Sequence, residues 1–248
     1  MFKHLFSIST LISLFLMSFS LSAAQTEDVL VLNTTVSVPL STKEGTGVTD
    51  LQLREVFERA GIGLHIEHVP AERAMLNANK GIDDGTFLRV SGLNKTYTNL
   101  VMVPESFMDF EFVAISKKEN IHLEGWKNLQ SYSLGFITGW KIVEDNTKNV
   151  ETVIRVKNVD QLFRLLELNR TDLIIYERLR ALVALGKNPI KGVKILEPPI
   201  TRKPMFLYLN EKHKDLIPKI VNAIRSSKAD GMHDRLQNLA LQPYLGSP

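Results

Sequence analysis

The chain has 248 residues and no cysteine, so its stability must come from a packed core and not from a disulfide framework. Its formal charge of +3 is spread without blocks of like sign, which argues against a nucleic-acid partner. The length allows one large domain or two small ones.

The N-terminus differs from the rest. Lys3 gives a short basic start, Leu5 to Leu21 is apolar and Ser-rich, and Ser22-Ala23-Ala24 offers small residues for cleavage. This pattern predicts a secretory signal peptide over residues 1–24, since the apolar run is short for a membrane span. A lipid anchor needs a cysteine at the cleavage site. The sequence has none, so the expected product is released and soluble.

Asp28 to Asn33 reads as a compact apolar strand, followed by a polar loop with Pro39, Gly45 and Gly47. Asp50 is the expected N-cap of a helix to Ala60, with Leu53, Val56 and Phe57 at helical spacing and Gly61 beyond the end. Leu64 to Val69 alternates as a second strand. A short helix, Ala71 to Lys80, stops at Gly81, and the turn Asp83-Asp84-Gly85 leads into a strand around Phe87 to Val90. Strand and helix alternate here, the pattern of a parallel sheet in an α/β fold.

After a strand at Glu111 to Ser116 the rhythm restarts. Ser133 to Ile137 is a strand, Thr138-Gly139-Trp140 opens a helix, and Val150 to Val156 is a strand. Asp160 to Leu168 is an amphipathic helix, Asp172 to Tyr176 a buried strand, and Glu177 to Leu185 a helix. The final strand (Lys203 to Asn210), the helix Asp215 to Lys228 and a last short helix near Asp234 are surplus to a closed second lobe. Returned to the first lobe, they give two chain crossings, and two crossings make a hinge over a cleft. The expected division is residues 25–114 with 206–248 in the first lobe and 115–205 in the second.

Ligands in open α/β sheets bind beyond the carboxyl ends of strands. Arg73 and Arg89 lie near such ends, where a guanidinium fork matches a carboxylate or phosphate; each is equally a candidate for a surface salt bridge. Thr138, Gly139 and Trp140 sit where a strand feeds a helix N-terminus, whose free N–H groups attract anions. Trp140 is a stacking wall or a core residue on this reading. Tyr176 and Glu177 end a strand in the same way, and Glu177 reads from position alone as an exposed first-turn glutamate. Glu105 and Phe107 are placed at the cleft mouth, and Asn33 and Thr34 at the end of the first strand. His65-Ile66-Glu67-His68 has metal-ligand residue types, but strand alternation puts His68 on the face opposite His65 and Glu67, so no metal site is expected. No cofactor motif occurs.

The segments DLQLREVFERAGI, VPAER, NANKGIDDG, SLGFITGW and LYLNEKHKDLIPKIVNAIRSSKADGM, in this order, resemble the periplasmic solute-binding proteins of the type 2 fold, family 3, which includes polar amino-acid binders. The resemblance implies a two-lobed α/β architecture, a periplasmic location, and a monomer that captures a small polar, anionic or zwitterionic solute for a membrane permease. A receptor-linked sensor is the alternative; an enzyme on the same scaffold, catalysing elimination or glycan cleavage, is another. It also implies that Glu177 stands near the acidic residue aimed at a ligand ammonium. Where the family carries a Thr-Pro-Glu-Arg type segment, this chain reads SGLNKTY, so the resemblance passes the carboxylate-gripping task to Arg89. No catalytic residue and no cofactor is expected.

Overall fold

The computed structural model describes residues 29–244, so the expected leader lies outside the described residues. One mixed sheet path runs through the molecule. Strand β1 (Val29–Thr34) is flanked in parallel by β2 (Gly63–His68) and β3 (Gly85–Arg89). Strand β6 (Leu134–Ile137) is flanked in parallel by β7 (Val153–Val156) and β8 (Leu173–Glu177). Between these two groups lie β5 (Met108–Ser116) and β10 (Thr201–Asn210), antiparallel to each other. The full order is β2-β1-β3-β10-β5-β8-β6-β7, with short β4 (Leu100–Met102) on β10 and β9 (Lys194–Ile195) on β5.

The crossings are visible in the pairing. Strand β10 pairs with β5 from Thr201 to Met205, then with β3 from Phe206 onward. Strand β5 pairs with β10 in its first half and with β8 from Phe112. Helices α6 (Ile217–Ala229) and α7 (Met232–Leu241) pack on α1 (Val48–Ala60).

Each helix boundary has a local cause. Helix α1 starts two residues before Asp50, because the Asp50 carboxylate reaches back to the N–H groups of Gly47 (3.0 Å) and Thr42 (2.8 Å) and to the Ser41 hydroxyl (2.6 Å). An acid inside the first turn satisfies the orphan N–H groups there. Helix α2 (Ala71–Lys80) ends as expected at Gly81, left-handed at φ 72°. Helix α6 begins at Ile217 and not Asp215, after a 3-10 turn over Glu211–Leu216; Pro218 suits a first helical turn because its missing N–H has no partner to lose.

The core forms separate clusters, the first of which also takes in Leu179 and Val183. Phe57, Phe87, Leu53, Leu207 and Ile224 belong to one buried cluster under α1, α6 and α7. Two further clusters, one with Phe136 and Leu129 and one with Ile115 and Leu162, cover the faces of the β5-β8-β6-β7 group. Each fully buried Leu, Ile or Phe contributes roughly 1.5–3 kcal/mol.

Strand β3 departs from regular geometry. Opposite it, Phe206 pairs with Arg89 and Tyr208 with Thr86, so β3 spends one residue more than β10 over the same span. Within that span Leu88, 2% exposed, sits at φ 54°, a left-handed conformation rare for a bulky residue. A bulge of this kind bends the strand and re-aims a side chain. Among the described residues, no helix is long and apolar enough to cross a membrane.

Candidate functional site

Arg89 is the last residue of β3, directly after the bulge. Its Nε donates to Thr86 Oγ1 at 3.0 Å and its Nη1 to Thr35 Oγ1 at 3.4 Å. Its Nη2 is buried with no hydrogen-bond partner among the described residues. Burial pushes the guanidinium below its ordinary value, yet an arginine stays charged in a protein. It is thus a buried cation with an unused donor, backed by two hydroxyls. Arg73, one turn into α2, is exposed.

The second lobe contributes an aromatic and cationic group. Trp140 and Tyr176 stack with ring centres 5.0 Å apart at 16°, and Phe112 meets Trp140 edge-on at 5.6 Å. The Arg180 guanidinium lies over Trp140 at 5.9 Å and beside the Tyr176 hydroxyl. Its Nε is buried and has no hydrogen-bond partner among the described residues, although the side chain hydrogen-bonds Tyr176. Tyr176, Arg180, Phe163 and Val183 line a 550 Å³ cavity whose wall includes Val38, from the loop after β1. The cavity thus lies between the loop after β1 and residues 159–190.

Several expected site residues are elsewhere engaged. The Thr138-Gly139-Trp140 turn has no free N–H: Thr138 donates to Val156 O (2.9 Å), Gly139 to Glu144 Oε1 (2.8 Å) and Trp140 to Ile137 O (3.4 Å). The helix it opens, α3 (Lys141–Asn146), is six residues long. A side chain five residues along the chain thus replaces the anion that the turn was expected to draw. Glu177 is 2% exposed and is the N-cap of α5 (Arg178–Lys187), accepting from Leu179 N at 3.0 Å and Arg180 N at 3.1 Å. Burial pushes its carboxyl above the usual carboxylate range, and the two backbone donors offset this only in part.

Phe107 is fully buried, edge-on to His233 at 5.0 Å, and lines no cleft mouth. Glu105 turns toward α6, pairing with Arg225 at 2.7 Å and Lys228 at 3.6 Å. Asn33 and Thr34 are fully buried. Asn33 Nδ2 ties β1 to Ala74 O (2.8 Å) and Asp83 (2.7 Å), and Thr34 Oγ1 accepts from Val36 N (3.2 Å). The Asn33 side chain points to α2, and Thr34, next to it on the strand, takes the other face. On β2, His65 meets Glu67 at 3.3 Å while His68 bonds Ser41 at 2.9 Å. Among the described residues no three metal-ligating groups cluster.

Arg180 was missed from sequence, although a signal for it existed. Arg178 and Arg180 both fall in the first turn of α5, where the macrodipole disfavours cations. Arg178 is answered by Glu111 and by Glu197 at 2.7 Å. Arg180 has no ion-pair partner of that kind.

This arrangement, two strand groups joined by β5 and β10, has clear structural relatives. The L-cystine solute receptor of Neisseria gonorrhoeae, in its unliganded open conformation, matches with TM-score 0.69 at 19% identity, covering 90% of this chain and 94% of the receptor. The chain has the two-lobed periplasmic-binding-protein fold. The second substrate-binding domain of a putative amino acid ABC transporter from Streptococcus pneumoniae gives TM-score 0.67 at 14% identity over 88% of this chain and 100% of that one. The GluR0 ligand-binding core from Nostoc punctiforme, in complex with L-glutamate, gives 0.62 at 14% identity over 84% and 97%. A Shewanella oneidensis protein described only as uncharacterized is 20% identical over 199 residues, 77% of this chain and 75% of its own. No family model matches the chain.

Proposed function

We propose that this chain is a secreted solute-binding protein that captures a small anionic or zwitterionic ligand between its lobes and presents it to an ABC-type permease. The observation that carries this reading is Arg89: a buried guanidinium aimed by a bulge, its Nη2 without a hydrogen-bond partner among the described residues. The ligand would supply the missing acceptor through a charge-assisted hydrogen bond, worth about 1.5–3 kcal/mol. Closure would follow from the ligand's higher affinity for the closed state.

The proposed organisation is a leader over residues 1–24, a first lobe of 25–114 with 206–248, and a second of 115–205. A periplasmic location and a monomeric state belong to the same proposal. The solved relatives are described as a solute receptor, a transporter's substrate-binding domain and a receptor's ligand-binding core, which favours binding over catalysis. Glu177 and Glu105, the carboxylates a catalytic reading would use, are committed to a helix cap and to ion pairs. A sensing role is the second reading, favoured by the likeness to the GluR0 core.

The test is a thermal-shift screen against amino acids, small carboxylates, short peptides and sugars. A ligand at a hundredfold excess over its dissociation constant stabilises by about 2.7 kcal/mol. The reading expects a hit among the anionic or zwitterionic compounds that vanishes in Arg89→Ala. A hit only among neutral sugars, indifferent to Arg89, would overturn it.

A further inference from the structure

We propose that Arg180 is a second anion-recognising residue and that the ligand carries two separated anionic groups, as a small dicarboxylate does, in place of the ammonium–carboxylate pair of an α-amino acid. This rests on the solute-binding reading above and narrows it. Three observations carry it.

First, each lobe offers a guanidinium with a buried, unpartnered N–H: Nη2 of Arg89 and Nε of Arg180. Burying a donor without an acceptor is unfavourable by about 1–3 kcal/mol, so two such groups in one molecule call for explanation. Second, the loop after β1 reaches both. The loop after β1 touches Arg89 through Thr35 at 3.4 Å, and three residues later Val38 forms the wall of the cavity that Arg180 lines. Third, the carboxylate best placed for an ammonium is occupied. Both Glu177 oxygens accept backbone N–H groups at the start of α5, and the residue is 2% exposed. Reaching a ligand would mean uncapping the helix.

The remaining acids on the cavity wall are exposed, Glu167 being paired with Arg164 at 2.7 Å and Asp160 lying in the first turn of α4 (Val159–Glu167). Arg180 is held where it is: its guanidinium lies on Trp140, which stacks on Tyr176. The guanidinium is within cation–π range of Trp140 and hydrogen-bonds Tyr176, while its Nε is left for an incoming acceptor.

The test is calorimetric titration of the purified protein with malonate, succinate and glutarate, with acetate and butyrate, and with alanine, glutamine and glutamate. The expected result is binding of at least one dicarboxylate at least tenfold tighter than any monocarboxylate or α-amino acid. In Arg180→Gln the preference for dicarboxylate over monocarboxylate should fall toward one, a ratio that a purely structural role would leave unchanged. Should the variant fold poorly, the ranking of ligands on the parent protein still decides. Tighter binding of α-amino acids than of dicarboxylates overturns this inference and leaves the solute-binding reading intact. Binding of none of these compounds overturns it too, and with it the assignment of Arg89 as an anion anchor.

Discussion

The carboxylate of Glu177 holds the backbone N–H of Arg180 at 3.1 Å, so the acid serves the helix that carries the arginine and leaves that arginine's side chain to the gap. This one contact separates a family-derived expectation from what the chain does. It also makes Glu177 a stability residue. Glu177→Ala should destabilise the protein by about 1 kcal/mol, the usual penalty for losing an N-cap, measured as a lower chemical-denaturation midpoint. Stability equal to the parent's would mean that α5 is capped by other means.

Arg89 should behave in the opposite way. Arg89→Met removes a buried cation with an unused donor and keeps most of the apolar stem. The unliganded variant is expected to be as stable as the parent, or more stable by up to about 2 kcal/mol. Its ligand-induced thermal shift should disappear. A less stable variant that still shows the full ligand shift would show that Arg89 is structural.

A buried histidine sets an acid limit. His233 Nε2 contacts Phe107 O at 3.0 Å and Nδ1 contacts Ser227 Oγ at 3.3 Å. Burial pushes its pKa below the ordinary 6.5, Lys228 adds to this, and the Phe107 carbonyl and Asp234 oppose it. The unfolded chain therefore binds a proton more readily than the folded one. Stability from this source is present above pH 6.5 and is lost as pH falls from there through the depressed value. His233→Gln should flatten the slope of melting temperature against pH in that window. An unchanged slope would assign the acid sensitivity to other groups.

Gly85 is required by close approach. A Cβ there would lie 2.3 Å from the carbonyl oxygen of Tyr208 on β10 and 2.8 Å from Leu32 Cδ2. The first of these is backbone and cannot swing aside. Gly85→Ala should destabilise by roughly 3 kcal/mol, the upper range for overpacking, read from urea unfolding. A loss below about 0.5 kcal/mol, the scale of ordinary surface substitutions, would mean that β3 and β10 separate freely.

The elements legible in the sequence are those fixed locally. Helix α2 ends at Gly81 because a left-handed residue is needed there, and glycine announces it. Strands β4 and β9, three and two residues long, are too short to show a period and were not expected. The site was harder, because its logic lies in which acceptor meets which N–H. Nothing local tells that Glu144 closes the turn at Gly139, or that Glu177 turns back onto its own helix while Arg180 has no carboxylate to pair with. Asn33 and Phe107 show the same limit: chain position put them near the cleft, and packing turned them away.

The bulge at Leu88 has a consequence for speed and selectivity. A long side chain such as arginine normally gives up about 2 kcal/mol of rotamer entropy when a ligand pins it. Here the left-handed Leu88, with Thr86 and Thr35 bracing the guanidinium, settles that loss during folding. On the proposed reading, an incoming anion would meet a donor already in place, so more of its contact energy would remain for choosing among ligands and for drawing the lobes together.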